Sequence, residues 1–76
     1  MEMRWRDGFT IRVRVENGTA VVSANREGLL SLADQLAALA RETPGSHIHY
    51  DVGNSLEDGS AGLIVERIGG TEEAPC

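Results

Sequence analysis

His47-x-His49-x-Asp51 is the densest group of potentially reactive side chains in the 76-residue sequence. In an extended strand, side chains two apart share a face, so two imidazoles and a carboxylate at this spacing come within reach of one cation. Zinc takes such nitrogen and oxygen ligands, usually four of them, with a second shell to orient the imidazoles. No fourth ligand or orienting partner can be named from the sequence. The same alternation is also what a half-exposed strand carries on its solvent side. His47, His49 and Asp51 are therefore a weak metal candidate beside the simpler reading of a polar surface, and no metal or cofactor is expected. Acid–base catalysis by either histidine would need an oriented nucleophile and a cleft. A short chain with one helix offers little concavity, and the sequence reads as a non-enzyme.

A second group lies in the polar stretch 53–60, Gly-Asn-Ser-Leu-Glu-Asp-Gly-Ser. Asn54 suits an Asx turn, in which the side chain bonds to backbone nearby. Glu57 and Asp58 would form an acidic prong for a basic partner, since loops held on a rigid scaffold often carry contacts. The stretch lacks the oxygen-ligand spacing of a calcium loop. Leu56 is either a buried anchor or a contact residue. Gly69-Gly70 resembles the end of ubiquitin-like sulfur carriers, but residues 71–76 follow it, so that chemistry would first require proteolysis. Cys76, the one cysteine, has no basic neighbour in sequence to lower its pKa.

These residues must be positioned by regular elements. Asn17-Gly18, between apolar runs, marks a two-residue hairpin, because both central positions of the favoured turn need φ > 0. That turn pairs Val15 with Ala20 and Val13 with Val22. One face then collects Ile11, Val13, Val15, Ala20, Val22 and Ala24. Arg12, Arg14, Glu16, Thr19, Val21 and Ser23 take the other. At Asp7-Gly8 a two-residue loop would put Arg4 and Arg6 among the apolar groups. A three-residue loop with Gly8 left-handed instead sets Trp5 opposite Phe9 and Met3 opposite Ile11. Asn25 is a good N-cap for a helix over 26–41. Its expected buried stripe is Leu29, Leu32, Leu36 and Leu39 with Ala33, Ala37 and Ala40. Gly28 in its first turn suggests close contact with the sheet. Strands follow over 47–52 and 63–68, the latter with either Leu63 and Val65 or Ile64 and Ile68 inward. The expectation is an α+β fold of order βββαββ. Its two layers are a mainly antiparallel sheet and one amphipathic helix, in a single domain over 1–68 with a flexible tail over 69–76.

Composition narrows the function classes. A hydrophobic share of 41% belongs to a globular chain. No apolar run approaches the roughly 20 residues of a membrane span. The N-terminus has no apolar signal stretch and the lone cysteine suits a reducing compartment, so the chain reads as cytoplasmic. Net charge is −5, from seven basic and twelve acidic residues. Four arginines fall in the first 15 residues, and the remainder carries three against ten carboxylates. Nucleic acid binding needs clustered positive charge and is not expected. A basic protein partner fits, as charge complementarity speeds encounter. Self-association through a sheet edge, giving a homodimer, is the alternative.

Two segments carry a family resemblance: Asn25-Arg26-Glu27-Gly28 at the helix start, and Gly45-Ser46-His47-Ile48-His49-Tyr50-Asp51. With 54–60 and 63–67, they make the chain similar, over about residues 23–68, to the immunity protein family numbered thirty-two of bacterial polymorphic toxin systems. The resemblance implies a small α+β protein encoded beside a toxin and neutralising it by direct binding. It also implies contact or structural roles for His47, His49, Asp51, Asn54 and Asp58, and no catalytic role.

Overall fold

A computed structural model describes residues 4–69. Its elements in chain order are β1 (Ile11–Glu16), β2 (Thr19–Ala24), α1 (Arg26–Leu39), β3 (His47–Tyr50) and β4 (Leu63–Glu66). They form one helix and two antiparallel two-stranded sheets, β1-β2 and β3-β4. This is a small α+β fold.

The first hairpin follows from its turn. Asn17 and Gly18 both have positive φ, 52° and 79°, and the register is the expected one, with Val13 opposite Val22 and Val15 opposite Ala20. Ile11 and Val13 are buried while Arg12 and Arg14 are exposed. The parity extends to Val15, but its burial does not: Val15 is 63% exposed. The apolar face of the hairpin is covered at its base and open towards its tip.

The second hairpin pairs His47 with Glu66, Ile48 with Val65, His49 with Ile64 and Tyr50 with Leu63. Leu63 and Val65 are half-buried against the core and Ile64 is exposed, which decides the inward face of β4. The two hairpins are fastened along β1. Glu57 N–H donates to the Ile11 carbonyl at 2.9 Å and Ala61 N–H to the Val13 carbonyl at 2.8 Å. Val13 N–H in turn donates to Ser60 Oγ at 3.1 Å.

Several expectations are corrected. The strands form two separate two-stranded sheets in place of the single sheet expected. The first strand of the βββαββ order does not form among the described residues. The turn itself is not the expected three-residue loop but a β-turn over residues 6–9 with Asp7 and Gly8 at its centre, Phe9 N–H donating to the Arg6 carbonyl and Gly8 at φ 80°. Trp5 and Phe9 do meet, their rings stacked at 4.4 Å. The backbone before the turn, however, bonds to the helix. Gln35 Nε2 donates to the Arg4 carbonyl at 2.8 Å, and Arg6 N–H donates to Ser31 Oγ at 2.9 Å. Side chains of α1 thus take groups that a strand ladder would have used. Met3 lies outside the described residues.

The helix is also turned about its axis relative to the leucine stripe. Its buried residues are Gly28, Ser31, Gln35 and Leu39. Of the expected stripe, Leu39 is buried and Leu32 packs on the core as expected, whereas Leu29 and Leu36 are 54% and 42% exposed and Ala33, Ala37 and Ala40 are exposed too. Gly28 fixes this orientation. A Cβ there would lie 2.5 Å from the Thr10 carbonyl oxygen and 3.0–3.1 Å from Ile11 and Ala24, so the bare glycine lets the helix backbone meet the hairpin base. Ser31 and Gln35 then turn inward, and burying them is tolerable because both are hydrogen-bonded. Ser31 Oγ also donates to the Glu27 carbonyl, and Gln35 Oε1 accepts from Tyr50 Oη at 2.8 Å. The core comprises Ile11, Val13, Leu39, Ile48, Tyr50 and Leu56, with Trp5, Phe9 and Leu32 among the residues packed on it.

The strands over 47–52 and 63–68 are shorter than expected, at four residues each. α1 ends at Leu39, ahead of Pro44-Gly45. Of the expected tail only Gly69 is described. It is half-buried, with no room for a Cβ beside Pro44.

Candidate functional site

Alternation along β3 buries Ile48 and Tyr50 and leaves His47 and His49 exposed. The two imidazoles meet edge to face, their centroids 4.8 Å apart. His47 Nδ1 is 3.2 Å from the Gly45 carbonyl oxygen. Cross-strand residues share a face, so Glu66 and Ile64 stand beside the histidines, and both are exposed. Ile64 at 59% exposure gives this face an apolar component that the sequence alone left undecided between two parities of β4. The β3–β4 register is the signal that would have found it.

Asp51 does not join the histidines. Its Oδ1 accepts from Asn54 N–H at 3.0 Å, and its own N–H donates to Asn54 Oδ1 at 3.2 Å. Asn54 Nδ2 also reaches the His49 carbonyl at 3.0 Å. The Asp51 carbonyl accepts from the N–H groups of residues 54, 55 and 56. This reciprocal turn ends β3 and commits both side chains to the backbone. Among the described residues, no group of three or more His, Cys, Asp or Glu is placed to hold a metal ion.

The turn delivers Leu56 into the core, where it is 5% exposed. Of its two sequence readings, buried anchor is the one realised. Glu57 and Asp58 follow immediately and are both exposed. Their backbone is held from β1: Glu57 N–H by the Ile11 carbonyl, and the Asp58 carbonyl by Arg12 Nη1 at 3.1 Å. Two carboxylates are therefore presented on a segment whose main chain is tied at both residues.

The hollows on the described surface are open rather than enclosed. A groove of about 490 Å³ runs between the end of α1 and β4, lined by Leu36, Leu39, Ala40, Val65, Glu66, Arg67 and Ile68. Its lining holds no histidine, cysteine, serine or threonine. A second hollow borders Ser46 and His47, but Ser46 Oγ meets Thr43 Oγ1, and His47 Nδ1 meets a backbone carbonyl. A hydroxyl activated by a hydrogen-bonded imidazole, the usual nucleophile pair, is absent among the described residues.

Tyr50 is buried in the core. Burial raises its phenol above the usual tyrosine value, because desolvation penalises the phenolate. The group is structural, closing the bond to Gln35.

Fold and site together define a small α+β domain with exposed histidines and carboxylates on a tied-down frame, and no assembled nucleophile or three-ligand cation site among the described residues. The family model for Immunity protein 32 matches residues 19–68, two thirds of the chain, and the chain belongs to that family. No curated protein and no solved structure matches it. No helix among the described residues is long and apolar enough to cross a membrane.

Proposed function

We propose that this protein is a cytoplasmic immunity protein that neutralises a cognate toxin by direct, non-catalytic binding. The observation that carries this reading is the family match, which spans α1, both strands of the second hairpin and the whole 51–62 connection.

The contact surface in this reading has two parts. Glu57 and Asp58 supply negative charge on a fixed backbone, which limits the ordering cost of binding. His47, His49, Ile64 and Glu66 supply a mixed face of imidazole, aliphatic and carboxylate groups. Asp51 and Asn54 act one step removed, by holding the turn that sets the acidic pair in place. A net charge of −5 suits a toxin with a basic substrate path.

The test is co-expression with the toxin encoded beside this protein's gene. The wild-type chain should co-purify with the toxin and restore growth. The double substitution Glu57→Lys and Asp58→Lys should weaken the complex about tenfold or more, since reversed charges at a complementary contact cost at least about 1.4 kcal/mol. Unchanged affinity in that variant would remove the acidic pair from the contact. Unprotected growth with the wild-type chain would refute the reading as a whole.

A further inference from the structure

We propose that the outer edge of β2 pairs with the same edge of a second copy of this chain, giving a continuous β1-β2-β2-β1 sheet across a two-fold axis. The first observation is an open edge. β2 pairs with β1 on one side, and among the described residues no other backbone group bonds to Thr19–Ala24. The opposite edge of the hairpin is already occupied, because residues 57 and 61 bond to Ile11 and Val13 of β1.

The second observation is chemical. Exposed edges are normally protected by charge, proline, bulges or a covering segment. Thr-Ala-Val-Val-Ser-Ala has none of these, in a chain of which 25% of residues are charged. The Arg14 guanidinium that reaches Ser23 Oγ is paired with Glu16, so this edge can meet itself with little like-charge repulsion, although the whole chain is acidic. The carboxylates proposed for a basic toxin lie along the other edge of the hairpin, at 57 and 58, so charge gives such a partner no reason to choose β2.

The third observation is register. In a two-residue hairpin Glu16 and Thr19 exchange bonds, as do Arg14 and Val21, and Arg12 and Ser23. The N–H and C=O groups of Ala20, Val22 and Ala24 therefore point outward. A two-fold axis through Val22 lets Val22 exchange bonds with its counterpart while Ala20 does so with the other copy's Ala24. Pairing even-numbered residues with even-numbered ones keeps both apolar hairpin faces on the same side. On that side Val15 and Val22 are 63% and 41% exposed, and the helix is seated there through Gly28 against Ile11 and Ala24. Leu29, the next helix residue, is exposed too. A second copy would cover these groups with the same groups of its own, the self-complementary pattern of a two-fold interface.

The experiment is sedimentation of the purified full chain from micromolar to millimolar concentration, together with amide hydrogen exchange over the same range. Mass should rise to that of a dimer. Protection at the outward amides of Ala20 and Val22 should rise with it, while Val21 and Ser23, bonded to β1, stay protected throughout. Val22→Lys places charge at the axis, and Val22→Pro removes an N–H that the β1 ladder does not use. Both should be monomeric with unchanged circular dichroism, whereas Glu57→Lys should still dimerise. A monomer at every concentration, or dimerisation without concentration-dependent protection at Ala20 and Val22, overturns the proposal even if a variant fails to fold. So does a monomer whose toxin binding is lost in Val22→Lys, which would give the edge to the toxin.

Discussion

At the scale of single residues, Asn25 and Gly28 of the helix-start segment are held in structural contacts. The Asn25 side chain makes three bonds at once. Its Oδ1 accepts from Gly28 N–H at 2.8 Å and Thr10 N–H at 3.0 Å, and its Nδ2 donates to the Gly8 carbonyl. It caps α1 and clips the helix start to the chain entering β1. Gly28 completes the joint, because its missing Cβ would collide with a backbone carbonyl, which cannot rotate away as a side chain can. Gly28→Ala should lower unfolding free energy by about 1–3 kcal/mol, the usual range for overpacking, read from the midpoint of a denaturant curve. Little change there would mean that the helix and hairpin can slide apart cheaply. Tyr50 offers an independent check, being the sole tyrosine in a chain whose seven basic residues are all arginine. A raised folded-state pKa means that the native protein holds its proton where the unfolded chain has lost it. Stability from this group is therefore full below about pH 10, the ordinary tyrosine value, and falls as pH rises towards the folded value. Tyr50→Phe should remove the tyrosine part of that slope. It should also cost about 1–3 kcal/mol at neutral pH, because Gln35 Oε1 loses its buried donor.

The elements follow local rules except where distant polar groups intervene. Hairpin register was legible because the demand of Asn17-Gly18 for positive φ and the alternation of valines pointed to one answer. Coverage was not legible, since alternation names a face and not the extent of what lies on it. Val13 and Val15 share parity but differ from 1% to 63% in exposure. Within α1, a search for the most hydrophobic face selects the leucines, whereas the orientation is set by Gly28, Ser31 and Gln35. The consequence is measurable. Leu39→Ala should cost about 2–5 kcal/mol as a core truncation. Leu36→Gln, at an exposed site on the former stripe, should cost less than about 1 kcal/mol. Equal costs would restore the leucine-stripe orientation. The Arg6–Asp34 ion pair at 2.9 Å adds little, both side chains being about half exposed.

For the whole molecule, the division of labour between the two edges of the first hairpin is the central feature. One edge is tied to the segment that presents Glu57 and Asp58, and the other is open and uncharged. Histidines 47 and 49 lie on a different sheet from either edge. Because Asp51 is held by Asn54, calorimetric titration with zinc at neutral pH should show no saturable binding. A saturable, pH-dependent heat lost in His49→Ala would mean that the turn opens to release the carboxylate.

The sequence by itself determined the class of fold, the Asn17-Gly18 hairpin with its pairing, the Asn25 cap and the family. All of these rest on contacts within a few residues or on patterns of fixed period. Tertiary structure alone decided the rotation of α1, the loss of a strand before β1, the burial of Leu56 and the separation of Asp51 from the histidines. The first three turn on hydrogen bonds or packing between segments far apart in the chain, whereas Asp51 is drawn off by Asn54 only three residues on, a partner choice that residue types alone did not name. Ser31 and Gln35 read as solvent-facing until the carbonyl of Arg4, the amide of Arg6 and the hydroxyl of Tyr50 arrive to satisfy them.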